Sequence, residues 1–249
     1  MKKKRILFVF AHPDDETFTS GVTICHYANQ PDVSIHLLCA TRGEAGKPGN
    51  PPICTQEELP FVREKELMQA AAILGIDSVE FMGYVDKQLS HVPAEELAAK
   101  IQDAIKQHQP QIVITFVPHG ISGHPDHQAI SAATRLAVER FGPDTPVQKL
   151  YYVTHATEKT FGDMAPPYTD PLSSITTLIS APQYVKQVAQ ALAAHRTQHL
   201  SVQRVFPGVL QGDTTYVRDT NYFIRVHLDD QPATADREKE SDLFAGVLA

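Results

Sequence analysis

Two short apolar runs, each followed closely by a His-Pro-Asp string, constrain the fold of this chain more than any other feature. Residues 6–11 lead into H-P-D-D-E at 12–16, and residues 112–117 come shortly before H-P-D-H at 124–127. Unbroken β-branched runs of this length are typical of buried strands in a parallel sheet. Because proline favours the first position of a helix, each string predicts a strand followed by a helix that the histidine caps.

The pattern between and after these strings alternates strand and helix. Strands are predicted at 5–11, 33–40, 79–82, 111–117 and 148–154, and helices at 17–29, 57–75, 94–109 and 125–141. Such alternation predicts an α/β fold with a parallel sheet and right-handed crossovers. In the common strand order 3-2-1-4-5, ligands bind where the first and fourth strands end side by side. The two His-Pro-Asp strings are therefore expected to meet in that crevice.

After residue 155 the alternation weakens. The sequence there predicts a loop over 160–173, a helix over 182–203, a strand over 222–227 and a polar tail over 229–240. We therefore predict one domain over 1–249, with a core over 1–155 and a C-terminal cap and tail over 156–249.

Composition excludes several classes of partner. The net charge of −7 does not suggest a nucleic-acid-binding surface, so no nucleic acid is expected as a partner. No stretch approaches the roughly 20 apolar residues that a membrane span needs, and the run after the basic start is too short for a secretory signal. Three cysteines without a C-x-x-C pair fit a reduced compartment. A cytoplasmic protein with no membrane partner is expected.

The residue types in the two strings are those that bind a divalent metal. Zinc takes imidazole nitrogens and carboxylate oxygens, and a catalytic site leaves one position for water. Since residues three apart share a helix face, His12, Asp15 and His127 are predicted as the ligands. Asp14 cannot share the direction of Asp15 and is the candidate general base for the bound water. The reverse assignment, with Asp15 as base and Asp14 as ligand, remains open.

The remaining polar residues of the strings have predicted supporting roles. His124, on the opposite strand tip, is expected to stabilise an oxyanion and to protonate a leaving amine. Asp126 is expected to hold that imidazolium. Glu16 is predicted to be structural, accepting backbone N–H groups in the tight turn.

A-H-P-D-D-E with a later G-H-P-D-H resembles the PIG-L/LmbE family of metal-dependent N-acetylglucosaminide deacetylases over about the first 140 residues. The resemblance implies a Rossmann-like three-layer fold, zinc as the usual metal, and hydrolysis of an acetamido group on a glucosamine derivative. It implies the same roles for the three predicted ligands and for Asp14, His124 and Asp126. Fe2+ and Co2+ are alternatives, because such sites accept several divalent ions. Relatives in the family are often oligomeric, which implies a homo-oligomer.

Further segments extend this resemblance. T-R-G-E-A-G at 41–46 resembles a family segment after the second strand, which implies that Arg42 faces the sugar or an anionic aglycone. Arg63 and Glu66 match the family's R-x-x-E-L, and Arg63 is predicted to supply a second anion pair. The Gly/Pro-rich loop 47–56 is either a lid or a surface connection.

Two further places bear on the match. H-R-T-Q at 195–198 resembles an H-x-S-Q element, with Thr197 in place of serine. Some members carry Arg or Tyr just before the second motif, where this chain has Ser122 and Gly123. A carbonyl-polarising residue at those two places is therefore in doubt.

The loop, the P-F-V-R-E-K-E-L helix start at 60–67 and the short chain most resemble the bacillithiol-pathway branch. That resemblance implies a small-molecule substrate, N-acetylglucosaminyl-malate. Alternatives are an inositol or chitooligosaccharide conjugate, or a mycothiol-conjugate amidase. More distant alternatives are a metal-dependent phosphoesterase and a non-catalytic sugar-binding protein. A nucleotide-binding oxidoreductase does not fit, because the first strand does not run into G-x-G-x-x-G.

Overall fold

The computed structural model describes residues 4–142, 145–159, 167–226 and 239–248, and it contains a seven-stranded sheet in the order β3-β2-β1-β4-β5-β7-β6. Five strands are parallel and the last two are antiparallel to their neighbours. The strands are β1 (Lys4–Phe10), β2 (Val33–Thr41), β3 (Ser78–Tyr84), β4 (Ile112–Phe116), β5 (Lys149–Thr154), β6 (Thr177–Ser180) and β7 (Thr220–Val226).

Helices pack in two groups against this sheet. The α-helices are α1 (Asp15–Ala28), α2 (Leu59–Leu74), α3 (Ala94–His108), α4 (Gly120–Gly123), α5 (Pro125–Glu139), α6 (Val185–Ala194) and α7 (His199–Val205). Helices α1, α2 and α6 pack together, and α3 packs on α5. The chain reverses its direction across the sheet after β3, so right-handed crossovers place the two groups on opposite faces. The predicted α/β fold and the order of its first five strands are confirmed.

The core is centred on β1 and β4. Residues 6–11 and 112–116 are at most 1% exposed, because helices cover both faces of these central strands. This double burial explains why their sequences are continuous apolar runs and do not alternate. The carboxyl ends of the same two strands lie side by side, where both His-Pro-Asp strings leave the sheet.

The C-terminal third differs from its prediction in two places. The helix predicted over 182–203 is broken into α6 and α7, with a 3-10 turn at Arg196–Gln198 between them. His195 and Thr197, at this turn, form side-chain hydrogen bonds with residues of α1 and α2. The break in the helix lets them make these bonds. Strand β6 was not predicted, because four residues at a sheet edge carry too little hydrophobic pattern.

The other C-terminal predictions fall only partly on residues that the structure describes. The predicted strand over 222–227 is β7, whose end falls at Val226. Most of the predicted tail, 229–238, lies outside the described residues, as does 160–166 of the predicted loop. Within the parts that the structure describes, no helix is both long and apolar enough to cross a membrane.

Candidate metal centre

Three polar side chains, those of His12, Asp15 and His127, converge where β1 and β4 end. His12 Nδ1 lies 3.2 Å from His127 Nε2, and the Asp15 carboxylate lies 3.3 Å from His127 Nε2 and 3.6 Å from His12 Nδ1. In a tetrahedral zinc site with bonds of about 2.0–2.1 Å, neighbouring ligand atoms are roughly 3.3 Å apart. The three side chains are about nine-tenths buried. The predicted ligand set therefore has the spacing that one small divalent cation requires.

In His12 and His127, the ring nitrogen that faces away from the cluster has a partner of its own, which directs the other nitrogen into the cluster. Nδ1 of His127 faces the carbonyl of Gly120 at 3.0 Å, which leaves Nε2 for a metal. Gly120 has φ +70°, and a Cβ there would lie 2.8 Å from the Cβ of His127. Glycine at this position thus permits both the turn and the close approach of His127.

His12 is oriented by two carboxylates. Its Nε2 lies 3.0 Å from Asp86 and 3.2 Å from Asp126. Burial raises the pKa of both carboxyl groups, but hydrogen bonds to His12, nearby positive charges and backbone hydrogen bonds together lower the pKa of both. Asp86 also accepts the N–H of Ala45, which ties the loop after β2 to the centre. Sequence analysis missed Asp86; its position just after β3, at the same sheet edge as the two strings, was the available signal.

The Asp126 carboxylate contacts His12, whereas the sequence analysis predicted His124 as its partner. Its carboxylate accepts the backbone N–H groups of Lys87 and Leu89 in addition to facing His12. Its contact with His124 is through the backbone, since the Asp126 N–H donates to His124 Nδ1 at 3.1 Å. The structure therefore brings the Asp126 carboxylate to a predicted metal ligand, and not to the imidazole that was expected to be its partner.

His124 caps α5 as the sequence predicted, with Pro125 in the first helical position. Its ring centroid is 4.8 Å from that of His12 and 5.1 Å from that of His127. Burial lowers the pKa of His124, and the neighbouring His12 and His127 lower it further. Because Nδ1 accepts the capping N–H, the neutral ring carries its proton on Nε2.

The first string does not form the same cap, so the prediction for His12 was wrong. Helix α1 begins at Asp15, and Asp14 precedes it in the left-handed region at φ 113°. The Asp14 N–H donates to the Glu16 carboxylate at 3.1 Å, as predicted for Glu16. Nδ1 of His12 faces His127 Nε2 and the Asp15 carboxylate and is therefore not available for a cap.

The Asp14 carboxylate points to an arginine and not to the cluster of ligand atoms. Arg63 Nη2 donates to it at 3.1 Å, and the Asp14 side chain is 17% exposed. Burial raises its pKa to about 6, although Arg63 opposes the shift. A carboxylate with this pKa can accept a proton near neutral pH. This geometry favours Asp15 as ligand and Asp14 as base over the reverse assignment.

The two predicted substrate-binding arginines both have acidic partners within the chain. Arg63, 4% exposed, also donates to the carbonyls of Gly43 and Pro13. Arg42 pairs with Glu64 at 2.5 Å and lies over the ring of Phe81. Arg42 lines a shallow surface depression whose other residues are Glu44, Pro60, Phe61, Gly83, Tyr84 and Val85. Contact of either arginine with a substrate stays a prediction.

Comparison with known proteins identifies the family of this chain. The profile of the PIG-L family, described as GlcNAc-PI de-N-acetylase, matches residues 7–138, which include both His-Pro-Asp strings. The chain belongs to the PIG-L family. It is 37% identical over 200 residues to a probable N-acetyl-alpha-D-glucosaminyl L-malate deacetylase 2 of Bacillus anthracis, covering 80% of this chain and 83% of that protein.

A second PIG-L relative covers nearly the whole chain. It is a 1D-myo-inositol 2-acetamido-2-deoxy-alpha-D-glucopyranoside deacetylase 1 of Frankia casuarinae, 29% identical over 98% of this chain and 95% of that protein.

Among solved structures, the N,N'-diacetylchitobiose deacetylase from Pyrococcus horikoshii superposes with a TM-score of 0.68 at 19% identity, over 90% of this chain and 84% of that one. GalB from Pseudomonas putida, a 4-carboxy-2-hydroxymuconate hydratase, superposes at 0.63 and 18% identity, over 93% and 99% of the chains. At such identities the likeness shows the fold alone. Since one fold hosts different reactions, the function has to be argued from the site.

Proposed function

We propose that this PIG-L protein is a metal-dependent N-deacetylase that hydrolyses the acetamido group of an N-acetylglucosamine conjugate. The observation that carries the proposal is the convergence of His12, Asp15 and His127 beside a carboxylate, Asp14, that is free of the ligand cluster. The names of its relatives support the same reaction.

His12, Asp15 and His127 would hold the metal. When bound, it would polarise the substrate carbonyl and lower the pKa of water from 15.7 to about 7. Asp126 and Asp86 keep the His12 ring in its ligating orientation. We propose Zn2+, with Fe2+ and Co2+ as alternatives; metal analysis of the purified protein by mass spectrometry distinguishes them.

Asp14 accepts a proton from the attacking water, and Arg63 fixes the direction in which its carboxylate points. His124 offers Nε2–H to the amide oxygen as negative charge develops there, which is the role of an oxyanion-hole donor. The leaving amine then takes the proton that Asp14 collected. This replaces the sequence-based expectation that His124 donates it, since burial and the neighbouring His12 and His127 lower the pKa of His124. Each step uses a group whose orientation an observed hydrogen bond sets.

We propose N-acetylglucosaminyl-malate as the substrate, in bacillithiol synthesis. Support comes from the malate-specific names of relatives at 37% and 32% identity. It does not come from Arg42 and Arg63, because Glu64 and Asp14 already neutralise them. The inositol conjugate is the alternative, since relatives with that name align over 98% of the chain.

The test is release of free amine by the zinc-loaded protein from the malate conjugate, the inositol conjugate and N-acetylglucosamine. We expect preference for the malate conjugate, abolished in Asp14→Ala with the metal still bound. Equal slow release from all three would keep the reaction and reject the substrate. No release by the metal-loaded parent would reject the deacetylase. A cytoplasmic location and a homo-oligomer are also proposed, and light scattering tests the second.

A further inference from the structure

The turn between α6 and α7 contacts both helices that support Asp14. His195 Nε2 lies 3.0 Å from Glu16 Oε1 near the start of α1. Two residues later, the N–H and hydroxyl of Thr197 donate to the Glu66 carboxylate on α2 at 2.8 and 2.7 Å. All four residues are at most 6% exposed. The turn therefore joins α1 and α2 through buried polar bonds.

Glu16 links His195 to the backbone of Asp14. One carboxylate oxygen, Oε1, faces His195 and accepts from the hydroxyl of Thr17; the other, Oε2, accepts the Asp14 N–H. The second ring nitrogen of His195, Nδ1, has no hydrogen-bond partner among the described residues. The polar contacts of this buried ring are thus directed at the side chains of Glu16 and Thr17.

Asp14 needs this restraint because of its backbone conformation. At φ 113° and ψ −26° it lies in a region that residues with a Cβ rarely adopt. Such conformations persist only where the surroundings over-determine them. A return of φ to a common value would swing the Cβ, and with it the carboxylate, away from Arg63. A misplacement of about 1 Å in a catalytic group can cost about a hundredfold in rate.

We propose that His195 is a positioning residue: through Glu16 it holds Asp14 in the left-handed conformation that places its carboxylate against Arg63 and outside the ligand cluster. The inference rests on the proposed function, because it takes Asp14 as the base. His195 itself does not touch the substrate. It acts on the chemical step and not on binding.

The experiment compares His195→Ala, His195→Gln and the control His36→Ala in the zinc-loaded protein. His36 lies near the amino end of β2, far along the strand from the centre. We expect His195→Ala to lower kcat tenfold to a hundredfold, with KM and bound metal within twofold of the parent. His195→Gln, whose amide can donate near the position of Nε2, should recover most of the loss. His36→Ala should keep the parent's kcat.

Several results would overturn the proposed role of His195. A folded, metal-loaded His195→Ala protein with the parent's kcat would overturn the inference, as would a loss found only in KM or metal content. If His195→Ala does not fold, Glu16→Gln tests the same contact from the other side, and an unchanged kcat there overturns it. If the parent itself releases no amine, the proposed function fails instead. Crystal structures then decide, since an unchanged Asp14 φ in a His195 variant would refute the restraint.

Discussion

Gly43→Ala tests whether Arg63 is locked against Asp14. Gly43 has φ +67°, and a Cβ there would lie 2.1 Å from Arg63 Nη1 and 2.3 Å from its Cζ. The buried guanidinium would have to move and give up its bonds to Gly43 and Asp14. Alanine in the left-handed region costs about 1–2 kcal/mol. Hydrogen bonds to charged groups contribute about 1.5–3 kcal/mol each, so with both bonds lost and the backbone cost added we expect Gly43→Ala to destabilise by about 4–8 kcal/mol.

Gly212→Ala is the matched control. Gly212 has φ +91°, and a Cβ there would meet nothing within 4 Å, so only the backbone cost of about 1–2 kcal/mol applies. Urea unfolding followed by circular dichroism gives both free energies of unfolding. We expect Gly43→Ala also to lower kcat, since Asp14 loses its partner. If the two variants unfold within about 1 kcal/mol of each other, Arg63 is free to move and the argument for a fixed Asp14 is refuted.

Three further predictions concern other contacts. Asp126→Asn should weaken zinc binding about 10–100-fold, because it disturbs the partner that orients His12; competition with a chelator measures this, and unchanged affinity would contradict it. Burial and the adjacent His108 lower the pKa of His36 to about 4, so the unfolded state binds more protons between pH 4 and 6.5 and stability rises with pH there. His36→Gln should flatten the rise of the free energy of unfolding with pH over this range; an unchanged slope against pH would show that His36 does not cause it. Lys149→Met leaves Glu240 without its 2.9 Å partner and should speed proteolysis near residue 240, whereas an unchanged cleavage rate would show that other contacts hold that segment.

The sheet was predictable because its central strands are buried on both faces. The runs at 6–11 and 112–117 are continuous and apolar, which favours strands covered on both faces, and the strand order is the common 3-2-1-4-5 arrangement of such sheets. The same reasoning could not find β6, whose buried and exposed residues alternate over only four positions. Nor could it find the break at His195, because that break depends on a partner, Glu16, far away in the sequence.

The sequence predicted which side chains would lie together at this edge of the sheet, but not their individual contacts. The parallel sheet places His12 near His127. Asp15 was predicted from helical spacing, although helix α1 begins only at Asp15 and His12 lies before it. This reasoning does not say which carboxylate faces which imidazole. Asp126 lies on His12 because the backbone after β3 supplies two N–H donors that fix its carboxylate, and Asp86 arrives with that same segment. Contacts of this kind depend on loop paths that hydrophobic periodicity does not encode.

The two strings share three letters but fold differently, and the difference separates the proposed roles. In the second, His124 uses Nδ1 to cap the helix, so the aspartate that follows lies inside the first turn and points back to His12. In the first, Nδ1 of His12 faces His127 Nε2 and the Asp15 carboxylate, so the N–H of Asp14 needs another acceptor. Glu16 provides it, and the helix starts two residues later in this string than in the second. Asp14 is thereby turned out of the ligand cluster, which leaves its carboxylate free for a proton.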